Sequence, residues 1–261
     1  MEIIAIANQK GGVGKTTTAV NLTASLAAKR KHVLLIDLDP QGNATSGTGV
    51  DKNALDLTIA DVLLDGVALS EAIVSSPAGF DVIGANRDLA GMDITLMSKT
   101  NSHELFKTAM VQLAKDQIAT NKSAYDYVII DCAPSLNLLT INALVATDSV
   151  IIPMQCEYYA LEGLADLSQT IERLTELNPK LYIRGVVRTL FDARNTLARD
   201  VSAELEAHFG DIMYKTHIPR NIRLAEAPAH GLPVIAYERW SKGARAYQKL
   251  AAEVIKQSTS L

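Results

Sequence analysis

The feature that most constrains this chain is a glycine-rich loop near its start. An apolar run, EIIAIA (2–7), leads directly into NQKGGVGKTTT (8–18), and a helical pattern covers residues 16–30. Glycine residues allow backbone turns that other residues avoid, and such turns can direct successive N–H groups toward one anion. A strand, a glycine loop and a helix in this order are the arrangement that a phosphate-binding loop requires.

The rest of the chain repeats this alternation of apolar runs and helical patterns. The runs are almost continuously apolar, which is typical of strands that are buried on both faces of a sheet. The predicted strands are 2–7, 32–37, 80–85, 125–131, 148–153 and 181–190, and the helical stretches include 16–30, 101–119, 160–177, 195–208 and 242–257. The repetition predicts an α/β fold, a mostly parallel twisted sheet flanked by helices on both faces. The length suits one large domain over residues 1–261.

The side chains of the loop add to its phosphate-binding chemistry. Lys15 should reach the β- and γ-phosphates of a nucleotide, and the Thr16 hydroxyl should bind Mg²⁺. The helix that begins here contributes its unpaired N–H donors and its dipole. The residues expected to bind the nucleotide through this loop are Lys10, Gly11, Gly12, Val13, Gly14, Lys15, Thr16 and Thr17.

The loop departs from the common phosphate-loop pattern in one respect. The pattern G-x-x-x-x-G-K-[ST] would have its first glycine at position 9, but Gln9 stands there and a second lysine, Lys10, follows it. The sequence KGGVGKT resembles the deviant Walker A motif of the ParA/MinD family of partition and positioning ATPases, and the resemblance extends from residue 3 to about residue 255. It implies a P-loop ATPase in which Lys10 crosses a dimer interface to the nucleotide of the partner subunit.

Acidic residues follow two of the buried strands. Asp37 and Asp39 lie at the end of the second predicted strand, and Asp131 ends the run YVIID (127–131). Ligands bind at this edge of open parallel sheets, where a carboxylate can hold Mg²⁺ or orient an attacking water. Asp131 fits the magnesium-binding carboxylate of a Walker B site. The resemblance assigns water positioning to Asp39 and leaves a structural role for Asp37. The candidate catalytic residues are therefore Lys10, Lys15 and Asp39, and the candidate magnesium ligands are Thr16, Asp39 and Asp131.

The positive charge of the chain is concentrated near its C-terminal end. The net charge is −4, yet residues 181–261 contain twelve Lys or Arg against eight Asp or Glu. Such a local excess permits a patch that binds the phosphate backbone of nucleic acid.

Two stretches of this region resemble the chromosomal, Soj-like branch of the same family. They are DARNTLARDV (192–201) and YKTHIPRNIRLAEAPAHGLPVIAY (214–237). The resemblance implies contacts with adenine in the IPRN segment and DNA binding, without sequence preference, by arginines of the region. The candidates are Pro219 and Asn221 for the adenine, and Arg194, Arg220 and Arg223 for DNA.

The resemblance implies a complete functional cycle. ATP and Mg²⁺ would close a homodimer, the dimer would bind DNA non-specifically, and slow hydrolysis would release it. A ParB-like centromere-binding partner is expected to stimulate turnover, so that a plasmid or a chromosome is segregated. The N-terminal sequence MEIIAIANQK does not read as a signal peptide, and the expected location is cytoplasmic and nucleoid-associated.

Three other functions share parts of this pattern. A MinD-like membrane-positioning ATPase would need a strongly basic amphipathic tail, and EVIKQSTSL (253–261) is a poor one. A P-loop metabolic ligase of the dethiobiotin-synthetase kind would consume ATP in proportion to a small carboxylate or amine substrate. A non-hydrolysing nucleotide-binding scaffold would leave the acidic residues idle. The absence of a guanine-reading N-K-x-D motif disfavours GTP.

Overall fold

A computed structural model describes residues 1–121 and 123–259 of the chain. Within them, seven strands form one sheet: β1 (Glu2–Ile6), β2 (Val33–Leu38), β3 (Ile73–Ser75), β4 (Asp81–Ile83), β5 (Tyr127–Cys132), β6 (Ser149–Gln155) and β7 (Tyr182–Thr189). Their order across the sheet is β3-β4-β2-β5-β1-β6-β7, and every neighbouring pair is parallel except β3 with β4. The predicted α/β class is confirmed.

Strand β3 was not predicted. It has three residues, lies at the edge of the sheet and is only partly buried. An edge strand of this length carries no continuous apolar run, so the sequence pattern that reveals the central strands is missing from it.

Helices cover both faces of the sheet. They are α1 (Lys15–Ala27), α2 (Asn43–Gly47), α3 (Ile59–Asp65), α4 (Met92–Met97), α5 (Leu105–Ala119), α6 (Leu138–Ala146), α7 (Ala160–Leu174), α8 (Thr196–Phe209), α9 (Ile222–Glu226), α10 (Val234–Tyr237) and α11 (Lys242–Ser258). Helix α6 is nearly all buried, so its sequence shows no polar face and no helical period. A membrane crossing would need a longer and more apolar helix than any found in residues 1–121 and 123–259.

The sheet separates two apolar cores. Leu34 and Ile36 of β2 point into the core that contains α5 and α6, whereas Leu35 points into the core that contains α1 and α11. All three side chains are fully buried. Because successive strand residues face opposite sides, a strand covered on both sides must be apolar throughout. The continuous apolar runs of the sequence are explained by this arrangement.

The register of the central strands places the ends of three strands together. Asp131 of β5 lies opposite Ile6 of β1 on one side and opposite Asp37 of β2 on the other. The loop between β1 and α1 begins one residue after this row. The glycine loop and the aspartates therefore share one edge of the sheet, the edge at which ligands bind in folds of this class.

Candidate functional site

The loop between β1 and α1 forms an open cradle of backbone groups. Gly12 and Gly14 adopt left-handed conformations with φ of 75° and 86°, which residues with a Cβ rarely adopt. A Cβ built on Gly11 or Gly12 would meet no atom within 4 Å, so the space above the loop is open. Gly14 is the N-cap of α1 and supplies no side-chain hydrogen bond to it. The first N–H groups of α1 are therefore available to an anion, which fits a phosphate group.

Side chains from two neighbouring strands fix the carbonyl groups of the loop. Gln155 Nε2 donates to the Gly12 carbonyl at 2.8 Å, and Thr189 Oγ1 donates to the Val13 carbonyl at 2.7 Å. These bonds occupy the carbonyl oxygens, which would repel an anion, and leave the N–H groups to the cradle. The loop is held in its binding form by residues far from it in the chain.

Lys15 lies almost buried beneath the loop. Its side chain donates from Nζ to the Lys10 carbonyl at 3.0 Å, and the residue is 7% exposed. Burial lowers the pKa of Lys15, and the negative charge of Asp131 is the strongest opposing influence. The ammonium group forms no ion pair closer than 4 Å with any described residue. It is a cation held beside the cradle without an anionic partner.

Asp131 is the complementary group, a buried carboxylate without partners. Neither of its oxygens accepts a hydrogen bond from the described part of the chain. Burial, and after it the charge of Asp37, raise the pKa of Asp131 well above its usual range, and the nearby Thr16 hydroxyl opposes the shift. A buried carboxylate is costly unless a cation or donors compensate it. Thr16 and Asp131 thus fit Mg²⁺, which takes oxygen ligands and binds through one or two carboxylates together with phosphate groups.

Asp37 and Asp39 have different surroundings although they are two residues apart. Asp37 is fully buried and accepts from Thr45 N and Thr45 Oγ1, both at 2.8 Å, and from Asp39 N at 3.1 Å. Burial raises the pKa of Asp37 to about 6, and these hydrogen bonds act in the opposite direction. Asp39 is half-buried and uses Oδ1 to accept from Gln41 N at 2.9 Å. Asp37 therefore anchors the segment after β2. Asp39 Oδ2 forms no hydrogen bond with a described residue, so it is available for chemistry.

A cavity of about 370 Å³, which we call the nucleotide-sized cavity, extends from the loop toward the C-terminal third of the chain. Its lining combines Gly12, Gly14, Thr17, Thr189, Leu190, Ile218, Arg220, Asn221, Ile222, Leu224, Ala225 and Tyr247. Asn221 Oδ1 is buried beside Gly243 and has no hydrogen-bond partner in the described residues, so this residue brings an unmet hydrogen-bonding group to the edge of the cavity. Leu190 has a φ of 50°, a conformation uncommon for residues other than glycine and often found at functional sites.

Pro219 lies beside this cavity but does not line it. It forms a backbone bridge with Phe191 and lines a second cleft. The sequence resemblance groups Asn221 and Pro219 together, but they line different cavities. The two cavities lie on either side of a wall that is formed by residues 215–221. Contact of Pro219 with adenine stays a prediction.

Lys10 does not line the nucleotide-sized cavity of its own chain. Its side chain is 54% exposed and forms an ion pair with Glu157, which is 51% exposed. Lys15 Nζ donates to the Lys10 carbonyl, whereas Lys10 Nζ pairs with Glu157. The ammonium groups of the two lysines therefore have different partners. An exposed Lys10 is compatible with a contact across an interface, which stays a prediction.

The three arginines predicted to bind DNA occupy different environments. Arg194 pairs with Asp192 at 2.7 Å, and Arg223 pairs with Glu226 at 2.7 Å. Arg220 lines the nucleotide-sized cavity and a smaller neighbouring one. Two of the three charges are therefore compensated within the chain. Their DNA contacts stay predictions.

A basic cleft of about 500 Å³ lies on the far side of the wall that carries Pro219. Lys215, Thr216, His217, Pro219, Lys242, Arg245, Ala246 and Lys249 line it, so it contains four cationic side chains and no acidic one among the described residues. None of the four forms an ion pair within the described chain. This cleft was not predicted from the sequence. Its signal is the spacing of Lys242, Arg245 and Lys249, which places three cations on one face of α11.

The comparisons with known proteins agree with this geometry. The family model described as an AAA domain matches residues 1–183. The chain is 50% identical to the sporulation initiation inhibitor protein Soj of Bacillus subtilis, covering 97% of this chain and 98% of that protein. It is 48% identical to the chromosome partitioning protein ParA of Caulobacter vibrioides, covering 98% of this chain and 94% of that one.

A solved structure at 36% identity shares the fold over the whole chain. It is described as cobyrinic acid a,c-diamide synthase from Mycobacterium smegmatis with bound ADP and magnesium. Its TM-score is 0.84, and the match covers 100% of this chain and 96% of that chain. The sequence motifs, the sheet and the full-length identity to both named partitioning proteins lead to one assignment. The chain belongs to the ParA/Soj branch of the ParA/MinD family of P-loop ATPases.

Proposed function

We propose that this chain is a Mg²⁺-dependent ATPase that binds DNA non-specifically as an ATP-bound homodimer and releases it after hydrolysis. The observation that carries the proposal is a shared wall that contributes residues to two cavities. The segment 215–221 and helix α11 separate the nucleotide-sized cavity from the basic cleft. An ATP-controlled grip on DNA needs such a connection between its two binding sites.

The nucleotide half of the proposal rests on groups that lack partners in this chain. Lys15 and the α1 N-terminus offer positive charge to the phosphates, and the Asn221 amide offers hydrogen bonds to the base. Mg²⁺ bound to ATP would neutralise the developing phosphate charge, held by Thr16 and Asp131. Asp39 orients the attacking water through Oδ2, because Oδ1 is engaged with Gln41 N. A solved relative was crystallised with ADP and magnesium, which supports this choice of cofactors.

The dimer rests on Lys10 and on the density of charge in a triphosphate. Lys10 is exposed and needs only to exchange the Glu157 carboxylate for the partner's nucleotide. Two cations, Lys15 of the same chain and Lys10 of the neighbour, would offset the charge of each triphosphate. ATP then forms part of the contact, so hydrolysis weakens it.

The proposed link between ATP and DNA binding rests on the residues of the wall, which line the two cavities in turn along the chain. Ile218, Arg220 and Asn221 line the nucleotide side, whereas Lys215 and His217 line the basic cleft. Helix α11 shows the same division, since Tyr247 lines the nucleotide side and Arg245, Ala246 and Lys249 line the cleft. A nucleotide that selects one position of the wall therefore biases the cleft. The cations of two chains joined in a dimer would act on one DNA backbone.

DNA binding measured with ATP, with ADP and without nucleotide tests the proposal. Binding should be strong only with ATP, should not depend on DNA sequence, and should fall steeply between about 50 mM and about 200 mM salt, because phosphate contacts release counterions. Equal binding in all three nucleotide states would refute the switch. A ParB-like partner is expected to raise the turnover rate, and a protein that cycles on DNA is expected at the nucleoid in the cytoplasm.

A metabolic ligase is the second candidate, because the solved relative at 36% identity is described as a diamide synthase. A ligase would hydrolyse ATP only in proportion to a small carboxylate substrate. The proposed partition ATPase would hydrolyse ATP without such a substrate and would respond to DNA. Steady-state turnover with the purified chain, with and without DNA, distinguishes the two.

A further inference from the structure

The turn that carries Asp39 is held by a side chain from a later segment of the chain. Within the turn 39–42, Gly42 N donates to the Asp39 carbonyl and Gln41 N donates to Asp39 Oδ1, both at 2.9 Å. Lys52 Nζ donates to the Gln41 carbonyl at 2.5 Å. Lys52 lies between α2 and α3, and no step of the proposed ATPase described above uses it.

The hydrogen bonds of Lys52 and Gly42 are coupled because both use one peptide group. The Gln41 carbonyl and the Gly42 N–H belong to the same peptide unit, so an ammonium group on the oxygen makes the N–H a stronger donor to the Asp39 carbonyl. Lys52 therefore strengthens the bond that closes the turn. The Asp39 carboxylate is attached to the same turn through Gln41 N.

Gly42 is packed so closely that the turn has little freedom to change shape. The residue is buried, has a φ of 60° and is the N-cap of α2. A Cβ built on it would lie 2.4 Å from the Ala85 carbonyl oxygen and 2.8 Å from Lys52 Cδ. The turn is therefore enclosed between the backbone that follows β4 and the hydrocarbon stem of Lys52. Lys52 supports it with its stem as well as with its ammonium group.

Asp39 depends on this turn for the direction of its carboxylate. The carboxylate accepts one hydrogen bond from the described residues, that of Gln41 N, whereas the buried Asp37 accepts three. Asp39 also carries one of the negative charges that act on Lys15 and on Asp131, so it lies near the groups proposed to hold the phosphates and Mg²⁺. A displacement of about 1 Å in such a group can lower a reaction rate about a hundredfold.

We propose that Lys52 is a positioning residue for hydrolysis: it keeps the turn 39–42 closed and so directs Asp39 Oδ2 toward the attacking water. This inference rests on the proposed ATPase function, in which Asp39 orients that water. Lys52 does not line the nucleotide-sized cavity and acts only through the turn. Its loss should therefore slow turnover and leave ATP binding intact.

Turnover and ATP affinity of Lys52 variants, measured separately, test the proposal. Lys52→Met keeps most of the stem without the charge, whereas Lys52→Arg keeps a cationic donor. We expect Lys52→Met to lower kcat about tenfold while the Kd for ATP changes less than about twofold, and Lys52→Arg to recover most of the rate. Lys99→Met is the matched control, because Lys99 Nζ also donates to backbone carbonyl groups, those of Leu63 and Leu64 in α3. It should keep the parent rate.

Hydrogen exchange of the Gly42 amide measures the closure of the turn without ATP. Because this amide donates to the Asp39 carbonyl, Lys52→Met should raise its exchange rate about tenfold, and Lys52→Arg and Lys99→Met should leave it near the parent rate.

Three results would overturn the role of Lys52. They are an unchanged kcat in Lys52→Met, a loss of ATP affinity as large as the loss of kcat, or a Gly42 amide that exchanges at the parent rate in Lys52→Met. A parent protein without any turnover would instead refute the proposed ATPase function, and the Gly42 amide would then still decide whether Lys52 closes the turn.

Discussion

Asp37 and Asp131 lie directly opposite each other on neighbouring parallel strands, and only one of them is satisfied. Asp37 accepts three hydrogen bonds, one from Asp39 and two from Thr45 of helix α2, whereas Asp131 accepts none within the described chain. The charge of Asp37 adds to the burial of Asp131 in raising the pKa of Asp131. The two carboxylates therefore have different roles: Asp37 stabilises the fold, and Asp131 is available to bind a cation.

Asp131→Asn should stabilise the nucleotide-free protein while abolishing turnover. A neutral amide removes the cost of a buried, unpaired charge, which is roughly 1–3 kcal/mol or more. Because the pKa of Asp131 is raised in the folded state, its stabilising contribution is present below the usual pKa near 3.8 and is lost as the pH rises through the raised value. The advantage of Asn should therefore be larger at pH 8 than at pH 5.

Urea unfolding at these two pH values measures that difference in free energy. Mg²⁺ and ATP should reverse it, because they stabilise the parent protein and not the variant. Asp65→Asn, at an exposed position, should show neither effect. A variant that is less stable than the parent at both pH values without nucleotide would contradict the assignment.

Lys10→Ala and Lys15→Ala should separate dimer formation from nucleotide binding. Lys15→Ala removes the buried cation beside the loop and should abolish ATP binding or turnover. Lys10→Ala removes only an exposed side chain, so it should retain much of the nucleotide affinity but fail to dimerise with Mg²⁺ and ATP. Analytical ultracentrifugation with Mg²⁺ and ATP measures dimer formation by both variants, and ATP turnover measures the effect of Lys15→Ala. An ATP-dependent dimer of Lys10→Ala would show that this lysine does not cross the interface.

Variants of the basic cleft should weaken DNA binding more than variants of the predicted arginines. Lys242 and Lys249 have no ion pair in the described chain, whereas Arg194 must first leave Asp192 and Arg223 must leave Glu226. Each phosphate contact that is lost should lower the salt slope by about 1. We therefore expect Lys242→Ala with Lys249→Ala to reduce affinity strongly. Arg194→Ala or Arg223→Ala should weaken it moderately.

Fluorescence anisotropy with duplex DNA at several salt concentrations measures the DNA affinity of the cleft variants and of the arginine variants. The ATP-dependent dimer should persist in every variant, which ultracentrifugation can verify. Lys29→Ala, at an exposed lysine after α1, is the control for the loss of one positive charge. If the cleft variants bind DNA like this control, the basic cleft is not the DNA site.

Asn221→Ala should weaken binding of ATP and reduce the preference for adenine over guanine. The amide lines the cavity and has an unpaired oxygen, so its loss removes one hydrogen bond to the base, worth roughly 1 kcal/mol or about fivefold in affinity. Competition between ATP and GTP for a fluorescent nucleotide measures the preference. Asn53→Ala, in an exposed loop, is the matched control. An unchanged preference would place the adenine elsewhere.

The central strands and the phosphate loop were predictable because their signals are local. Six strands were recognised from continuous apolar runs, since burial on both faces leaves no polar position. Helix α6 was not recognised for the same reason, because burial on all sides removes the helical period. The short edge strand β3 has too few buried residues to leave a pattern.

The arginines show the limit of reading charges from sequence. Arg194 and Arg223 lie in a basic region, but a carboxylate two or three residues away along the chain engages each of them. Lys242, Arg245 and Lys249, which form no ion pair within the described residues, are on α11, where the apolar stripe that packs against the sheet was the stronger pattern. Whether a charge is available depends on which side chains surround it.

By itself, the sequence determined the α/β class, the glycine loop and the aspartates at its edge, because each depends on neighbours in the chain and on the rule that strand ends carry the site. Only the tertiary structure decided which of these groups lack partners and which cavity each one faces. It joins Thr17, Thr189 and Tyr247 around one cavity and turns Asn221 and Pro219 to opposite sides of one wall. Such contacts come from packing between distant segments, and packing leaves no periodic signal in the order of residues.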